Sequence, residues 1–296
     1  MSNSEYYAKR ETSIERAWAL AFLHAVDNPS HELAPFTMCI DAGSHSGLAL
    51  PDTLSHPLVT ALDACLEENG HQNVEKVAFP LFPERLWRIC DGDRAELYAE
   101  FMRNLPSYVA WEPRKNQGGM YFGRMIGFGL GHRTGKGLGF KGSRTLEKAG
   151  NQLEHIIRQC KVSVERGRSV ARMQLQATTY DPYRDLTTSG QPSFPCLQHI
   201  TFDPDIQAGT LAMNAFYATQ KLFVKAFGNW LGLCRLGRFV AGQAGLKFSR
   251  FTCFVGVQKM DDAPKGGALR NNLIGAAETV LGQGGGAAPL VVAHAG

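Results

Sequence analysis

Residues 209–257 read GTLAMNAFYATQKLFVKAFGNWLGLCRLGRFVAGQAGLKFSRFTCFVGV. This run decides the fold. Its first part, about 209–217, reads as a strand. A long apolar helix is expected within 216–240, broken near Gly228, and 251–257 reads as another strand. Upstream, 196–203 reads as a strand entered from a turn-rich loop at 180–193. Over 172–179, Met173, Leu175 and Ala177 alternate with polar partners, which also predicts a strand. Residues 146–161 form an amphipathic pattern, with Leu153, Ile156, Ile157 and Cys160 on one helical face.

Towards the start, an acidic helix is expected over 94–103, a buried strand over 77–82 and a helix over 58–66 ending at Asn69-Gly70. A strand over 36–40 precedes a Gly/Ser turn at 43–47. Ile14, Ala17, Trp18, Ala21, Phe22 and Ala25 recur at helical spacing over 14–26, with Thr12 or Ser13 as the cap. Residues 1–12 read as a loose start. Downstream, 268–281 reads as a last helix, and 282–296 as a Gly/Ala-rich tail. Strands and helices follow one another without regular βαβ alternation, and no linker divides the chain. The expected fold is one α+β domain over 1–281, a mixed sheet flanked by helices.

The chain has 296 residues, 44% hydrophobic and 20% charged, which allows a sizeable core without staples. A formal charge of +4 does not by itself indicate nucleic-acid binding, which needs a clustered basic face. The seven cysteines contain no C-x-x-C pair, so neither a zinc site nor a disulfide framework is expected. Unpaired thiols point to a reducing compartment, hence a cytoplasmic protein. The N-terminus is polar without a signal-peptide core, and no apolar run is long enough for a membrane span.

Residues 113–146 hold ten glycines, seven Lys/Arg and no acidic residue. Exposed backbone N–H groups with interspersed cations suit a phosphate, and a solvated loop is the alternative. GHRTGKG at 131–137 is not a P-loop, because Leu130 stands where the first glycine is needed and Gly137 where Ser or Thr should follow the lysine. His199 follows Cys196 by three positions on an expected strand, which turns it to the opposite face and makes it a poor base for that thiol.

Four segments, read in order, resemble the thymidylate synthase and pyrimidine hydroxymethylase family. Glu84-Arg-Leu-Trp87-Arg-Ile-Cys-Asp-Gly92-Asp93 is similar to the family's E-L-L-W-F-L-x-G-D helix with one extra residue. Gly118-Gly-Met-Tyr121-Phe-Gly123 resembles G-P-V-Y-G, and Asn151-Gln-Leu-Glu-His-Ile-Ile-Arg resembles the family's D-Q-I helix. Pro195-Cys196 is similar to the P-C-H that carries the nucleophile. Residues 209–254 track G-x-L…Y-Q-R-S…P-x-N-I…A-x-x-x-x-L…F-x-W. The resemblance covers roughly 80–270 and rests on the order and spacing of the segments.

It implies a chemistry. Carbon 5 of a pyrimidine is a poor nucleophile until a thiolate adds at carbon 6 and turns the ring into an enolate. Cys196 would be that thiol, Asn229 the amide that reads the ring edge, Glu84 the carboxyl that manages protons and Tyr121 an ordering hydroxyl. The resemblance further implies 5,10-methylenetetrahydrofolate as cofactor and a homodimer whose sheets pack back to back.

The departures are as specific. The family's Q-R-S reads Tyr217-Ala218-Thr219, so a phosphate-binding arginine is lost at Ala218. The aspartate that grips the pterin aligns with Lys221, and the H-x-Y that holds the sugar with Lys259-Met260-Asp261. The paired arginines align with Ala171-Arg172, and the histidine after the nucleophile is Leu197. Expected substrate contacts are therefore Arg172, Thr219 and Lys221, with Arg133 and Lys136 from the basic glycine stretch. The expected activity is methylation or hydroxymethylation at carbon 5 of a pyrimidine nucleotide or nucleoside-like compound other than deoxyuridine monophosphate. The alternative is a non-catalytic relative that binds a nucleotide or a partner.

Overall fold

The computed structural model describes residues 4–26, 32–43, 46–116, 119–128, 150–168, 170–186, 195–260 and 262–282. In chain order the elements are β1 (Ser4–Glu11), α1 (Ile14–Val26), β2 (Glu32–Asp41), α2 (Pro57–Glu68), α3 (Val74–Ala78), α4 (Glu84–Ile89), α5 (Arg94–Trp111), α6 (Pro113–Asn116), α7 (Tyr121–Ile126), α8 (Gln152–Arg166), β3 (Gln176–Thr178), α9 (Pro182–Asp185), β4 (Leu197–Asp205), β5 (Thr210–Lys221), α10 (Phe227–Gln243), β6 (Lys247–Lys259) and α11 (Ala268–Gly282). The architecture is mixed α+β. A six-stranded open sheet has the order β1-β2-β6-β5-β4-β3, with β1/β2 and β5/β6 parallel and the other pairs antiparallel.

The opening run builds the middle of this sheet. β5 and β6 pair in parallel from Thr210↔Lys247 to Lys221↔Lys259, with α10 as the crossover between them. Phe36, Met38, Ile40, Met213, Ala215, Tyr217, Phe251, Cys253 and Val255 are all buried on one face. Trp18 and Phe22 of α1 join that core with Phe223, Phe227 and Trp230. The opposite face carries Thr37, Cys39, Asn214, Phe216, Thr252 and Phe254, half-buried or exposed. Phe216 and Phe254 stack there with ring centroids 5.4 Å apart.

Several expectations are corrected. Within the expected loose start, residues 4–11 are a strand: β1 pairs in parallel with β2 and buries Tyr7. The expected strand at 77–82 is α3 and a following turn. Asn73 caps α3 by accepting from the Lys76 N–H at 3.1 Å, and Pro80 and Pro83 cannot donate to a ladder. Its apolar residues face α10 at Gly228 and Gly232. A Cβ on Gly228 would lie 2.6 Å from the Val77 Cβ, and one on Gly232 would lie 2.7 Å from the Ala78 carbonyl oxygen. Of the strand expected at 172–179, only β3 forms; Arg172–Gln174 is a 3₁₀ turn.

The helix expected from 216 begins later, because β6 offers Tyr217, Thr219 and Lys221 a pairing edge and pairing overrides local preference. A single π-type turn, Leu222–Ala226, then leads into α10. Its Leu222 carbonyl accepts from the Trp18 indole at 3.1 Å. The acidic helix runs past 103 to Trp111, through Pro106. Asn151 caps α8 at 2.9 Å, which sets its start at Gln152. The tail beyond 282 lies outside the described residues. No helix among the described residues is long and apolar enough to cross a membrane.

Candidate active site

Cys196 stands just before β4, half-buried against the core. Its backbone is fixed from two sides. The Ala218 N–H donates to the Cys196 carbonyl at 3.1 Å, extending the β4–β5 ladder. The Leu197 carbonyl accepts from the Thr179 hydroxyl, and the Thr179 N–H donates to the Gln198 carbonyl at 3.0 Å. Thr179 is held in turn by a buried clamp. Arg124 of α7 donates to the Thr179 carbonyl at 2.7 Å and grips Asp185 at 2.5 and 2.8 Å. Gln152 adds a reciprocal pair with the Thr178 backbone, 2.9 Å in each direction. Buried charges and amides persist where partners satisfy them, and this network meets that condition.

The same clamp positions α7, whose first residue is Tyr121. The Tyr121 hydroxyl accepts from the Leu197 N–H at 3.5 Å, beside the thiol. Burial pushes its acidity well down, so it stays a neutral hydroxyl that can donate or accept. Tyr217 of β5 presents a second buried hydroxyl to the cluster, unpartnered among the described residues. Burial raises the Cys196 pKa, and the Lys225 ammonium opposes that rise. Lys225 lies in the π-type turn and donates to Gln72 Oε1 at 3.0 Å; Gln72 Nε2 donates to Glu112 at 2.6 Å.

Asn229 is buried at 8% exposure on the first turn of α10, four positions after Lys225. Among the described residues its side chain makes no hydrogen bond, so one donor and one acceptor direction remain for a ligand edge.

Glu84 lies elsewhere. Its carboxylate pairs with Arg88 and Arg238, each at 3.3 Å. Arg238 follows Asn229 by nine positions on α10, about 13 Å along the axis. Next to it, Arg235 grips Glu75 at 2.7 and 2.6 Å. The Tyr121 hydroxyl thus lies beside the Cys196 segment, and the recorded ion-pair partners of Glu84 are Arg88 and Arg238. A cleft of 140 Å³ beside Glu84 is lined by Trp87, Arg235, Arg238 and Phe239. Another, of 320 Å³, lies at Gln159, Arg166, Arg168 and Gln174. Neither includes Cys196.

The expected substrate contacts are dispersed. Arg172 is exposed and pairs with Asp203 at 2.5 Å. Thr219 is exposed on β5, where it pairs with Val257. Lys221 is paired with Asp262, and Lys259 with Glu32 at 3.1 Å. Arg133, Lys136, Arg144 and Asp261 lie outside the described residues. The His199 ring nitrogen sits 2.9 Å from Gln176 Oε1, and burial lowers its pKa, which leaves it neutral near pH 7. Among the described residues no group of His, Cys, Asp and Glu could hold a metal ion.

Lys225, Gln72, Glu112 and Tyr217 were not singled out for a role from the sequence. A cation inside the apolar run 222–227 is the one signal that marks Lys225.

No family model matches this chain, and no curated protein matches it. Among solved structures, it is similar to the thermostable thymidylate synthase A from Bacillus subtilis, at 14% identity and a TM-score of 0.45, over 83% of this chain and 79% of that one.

Proposed function

We propose that this protein performs covalent chemistry at carbon 5 of a pyrimidine-containing compound, with Cys196 as the nucleophile. The observation that carries this reading is the hydroxyl of Tyr121, kept neutral by burial, set at the Leu197 N–H beside the half-buried Cys196 thiol. In the proposed step the Cys196 thiolate bonds to carbon 6, and the carbon 5–carbon 6 π pair moves into the carbon 4 carbonyl as an enolate. Carbon 5 then accepts an electrophile: a proton from solvent, or a one-carbon unit from a donor at the oxidation level of formaldehyde, which ends as hydroxymethyl by addition of water or as methyl if a hydride donor supplies two electrons. Loss of the original carbon 5 proton and departure of the thiolate restore the ring. The Asn229 amide would pair with the ring's adjacent donor and acceptor, which suits uracil.

The resemblance implies 5,10-methylenetetrahydrofolate. A pterin presents N–H donors that need an acceptor. At the matching position Lys221 has three donors and no acceptor, and its charge is already paired with Asp262. The residues do not fit that grip, and no step is derived through a folate. Ala218 likewise removes a charge-assisted phosphate contact, which is among the strong ones. Deoxyuridine monophosphate is therefore a poor candidate substrate. The same losses favour the second reading, a non-catalytic relative that binds a nucleotide or a partner.

We also infer a homodimer formed through the sheet face that carries Phe216 and Phe254, since this stacked aromatic pair is partly exposed among the described residues and suits a self-complementary contact.

The deciding experiment is incubation with uracil and cytosine compounds in deuterium oxide, with NMR of the carbon 5 proton. Exchange needs only thiol addition, so at least one compound is expected to lose that signal. No exchange across the panel would leave the binding reading. Deoxyuridine monophosphate with methylenetetrahydrofolate is expected to yield no thymidylate by mass spectrometry; ordinary turnover would overturn the substrate reading.

A further inference from the structure

We propose that the cleft at the C-terminal end of α8 is a binding site for a phosphorylated, non-aromatic small molecule, gripped by Arg166 and Arg168. It stands apart from the reading above, since Cys196 does not line this cleft.

Three observations meet here. The first is the pair of guanidiniums. Neighbouring arginines meet carboxylates: Arg158 pairs with Glu154, and Arg172 and Arg250 pair with Asp203. Arg166 and Arg168 are exposed, and neither side chain has an ion pair or hydrogen bond among the described residues. No acidic side chain lines the cleft among those residues either. Two like charges on one cleft repel, and an anion placed between them turns that repulsion into attraction.

The second is how the chain holds them. α8 is seated by buried Leu153, Ile156, Ile157 and Cys160, and it ends at Arg166. Gly167 follows in the left-handed conformation, φ 63°, and turns the chain so that Arg168 stands beyond the helix end. The last carbonyls of a helix would repel an anion. Here the Gly167 N–H donates to the Val164 carbonyl at 3.1 Å and the Arg168 N–H to the Ser163 carbonyl at 3.2 Å, so both are occupied. The buried Ser163 hydroxyl accepts from the Val170 N–H at 3.1 Å, which folds the chain back. The other wall is the 3₁₀ turn at 172–174. It is closed by the Gln174 N–H on the Ala171 carbonyl at 2.9 Å, and the Phe202 N–H on the Leu175 carbonyl at 2.8 Å ties it to β4. A mouth fixed in this way has little ordering cost left when a ligand binds.

The third is the lining. The cleft holds 320 Å³, and Gln159, Gln174, Val170 and Ala171 line it beside the two arginines. That volume is near the low end of ligand pockets, about 300–1,000 Å³. A guanidinium fork matches phosphoryl oxygens with two parallel N–H bonds, and two forks favour a dianionic phosphate monoester over a single carboxylate. The two carboxamides can donate to and accept from hydroxyl groups. No aromatic ring lines the cleft among the described residues, so it offers a nucleobase no platform to stack on. A sugar phosphate meets all of these conditions.

Isothermal titration calorimetry of the full-length protein with ribose 5-phosphate tests this, beside ribose and adenosine monophosphate. Ribose 5-phosphate is expected to bind with a submillimolar Kd and ribose not to bind. The nucleotide is expected to bind no more tightly than the sugar phosphate. Arg166→Gln and Arg168→Gln are each expected to weaken the sugar phosphate by about tenfold or more. Arg168→Lys keeps the charge and loses the fork, so its loss is expected to fall between parent and Arg168→Gln. Arg85→Gln removes an exposed charge elsewhere, and Cys196→Ser removes the proposed nucleophile; both are expected to bind as the parent does. No binding of ribose 5-phosphate at millimolar concentration, an unchanged Kd in both glutamine variants, or equal weakening by Arg85→Gln would overturn the proposal. A glutamine variant that loses stability in urea yet binds normally would show an arginine serving only the helix end, which also overturns it. Adenosine monophosphate bound about tenfold more tightly than ribose 5-phosphate would overturn the choice of a non-aromatic ligand. Loss of binding in Cys196→Ser would place the phosphate at the thiol instead.

Discussion

Lys225 stands ahead of α10 and Asn229, a buried amide with no hydrogen-bond partner among the described residues, on its first turn; the half-buried Cys196 thiol lies in the segment that the Tyr121 hydroxyl reaches. Further along the same helix, Arg235 and Arg238 meet Glu75 and Glu84 in ion pairs that each keep one partner open to water. Both ends are polar, but the polarity has different work to do. Paired charges at the far end answer one another, so that end is chemically quiet. At the near end burial shifts the thiol and holds the tyrosines neutral. Perturbed groups that gather in one place mark candidate reactive sites more reliably than charge alone.

The largest effect is expected where the near end is anchored. Arg124→Ala leaves Asp185 buried and unpaired and withdraws the support of Thr179. The Asp181 N–H still donates to Asp185 at 2.8 Å, but the buried carboxylate loses its only ion-pair partner recorded among the described residues, which should cost about 3–5 kcal/mol in denaturant unfolding. A cost below 1 kcal/mol would show that α7 and the Cys196 segment are held by something else. Gly232→Val acts between the two ends, where a side chain would collide with the backbone of Ala78. It should destabilise by about 1–3 kcal/mol in thermal or urea unfolding. A neutral result would show that α3 is not seated on α10.

The comparison also explains how much the sequence made legible. α1, α2 and α11 follow their apolar period to within two residues, while β6 starts four residues before and ends two after its expected strand. The 77–82 segment was misread because a short apolar run fits strand and helix equally, and only the α10 glycines decide. β1 was missed because Tyr7 is the one residue of its run that reads as core on the described side chains. Cys196, Tyr121 and Asn229 were read as site candidates through segment order. Lys225 was not, since its partner Gln72 is 153 positions away and no local pattern records such a contact. Glu84 was drawn in by its motif, yet its placement follows α3 and α4 along α10 towards Arg238.

Smaller effects sharpen the ligand end. Asn229→Asp should shift exchange preference from uracil towards cytosine compounds, because a ring edge left unpaired costs about 1–3 kcal/mol. An unchanged preference would remove Asn229 from the ring. Smallest of all, Glu84→Gln loses ion pairs whose arginines, Arg88 and Arg238, are open to water, and should change stability by less than about 1 kcal/mol in chemical denaturation.

The most direct test sets the two ends against each other in one assay. Carbon 5 hydrogen exchange is measured for Cys196→Ser and Glu84→Gln beside the parent, on whichever compound the parent exchanges. Cys196→Ser is expected to fall to background, a loss of more than about a thousandfold for a missing nucleophile, while Glu84→Gln keeps most of the parent rate. Full exchange in Cys196→Ser, or a collapse in Glu84→Gln with its fold intact, would contradict the account.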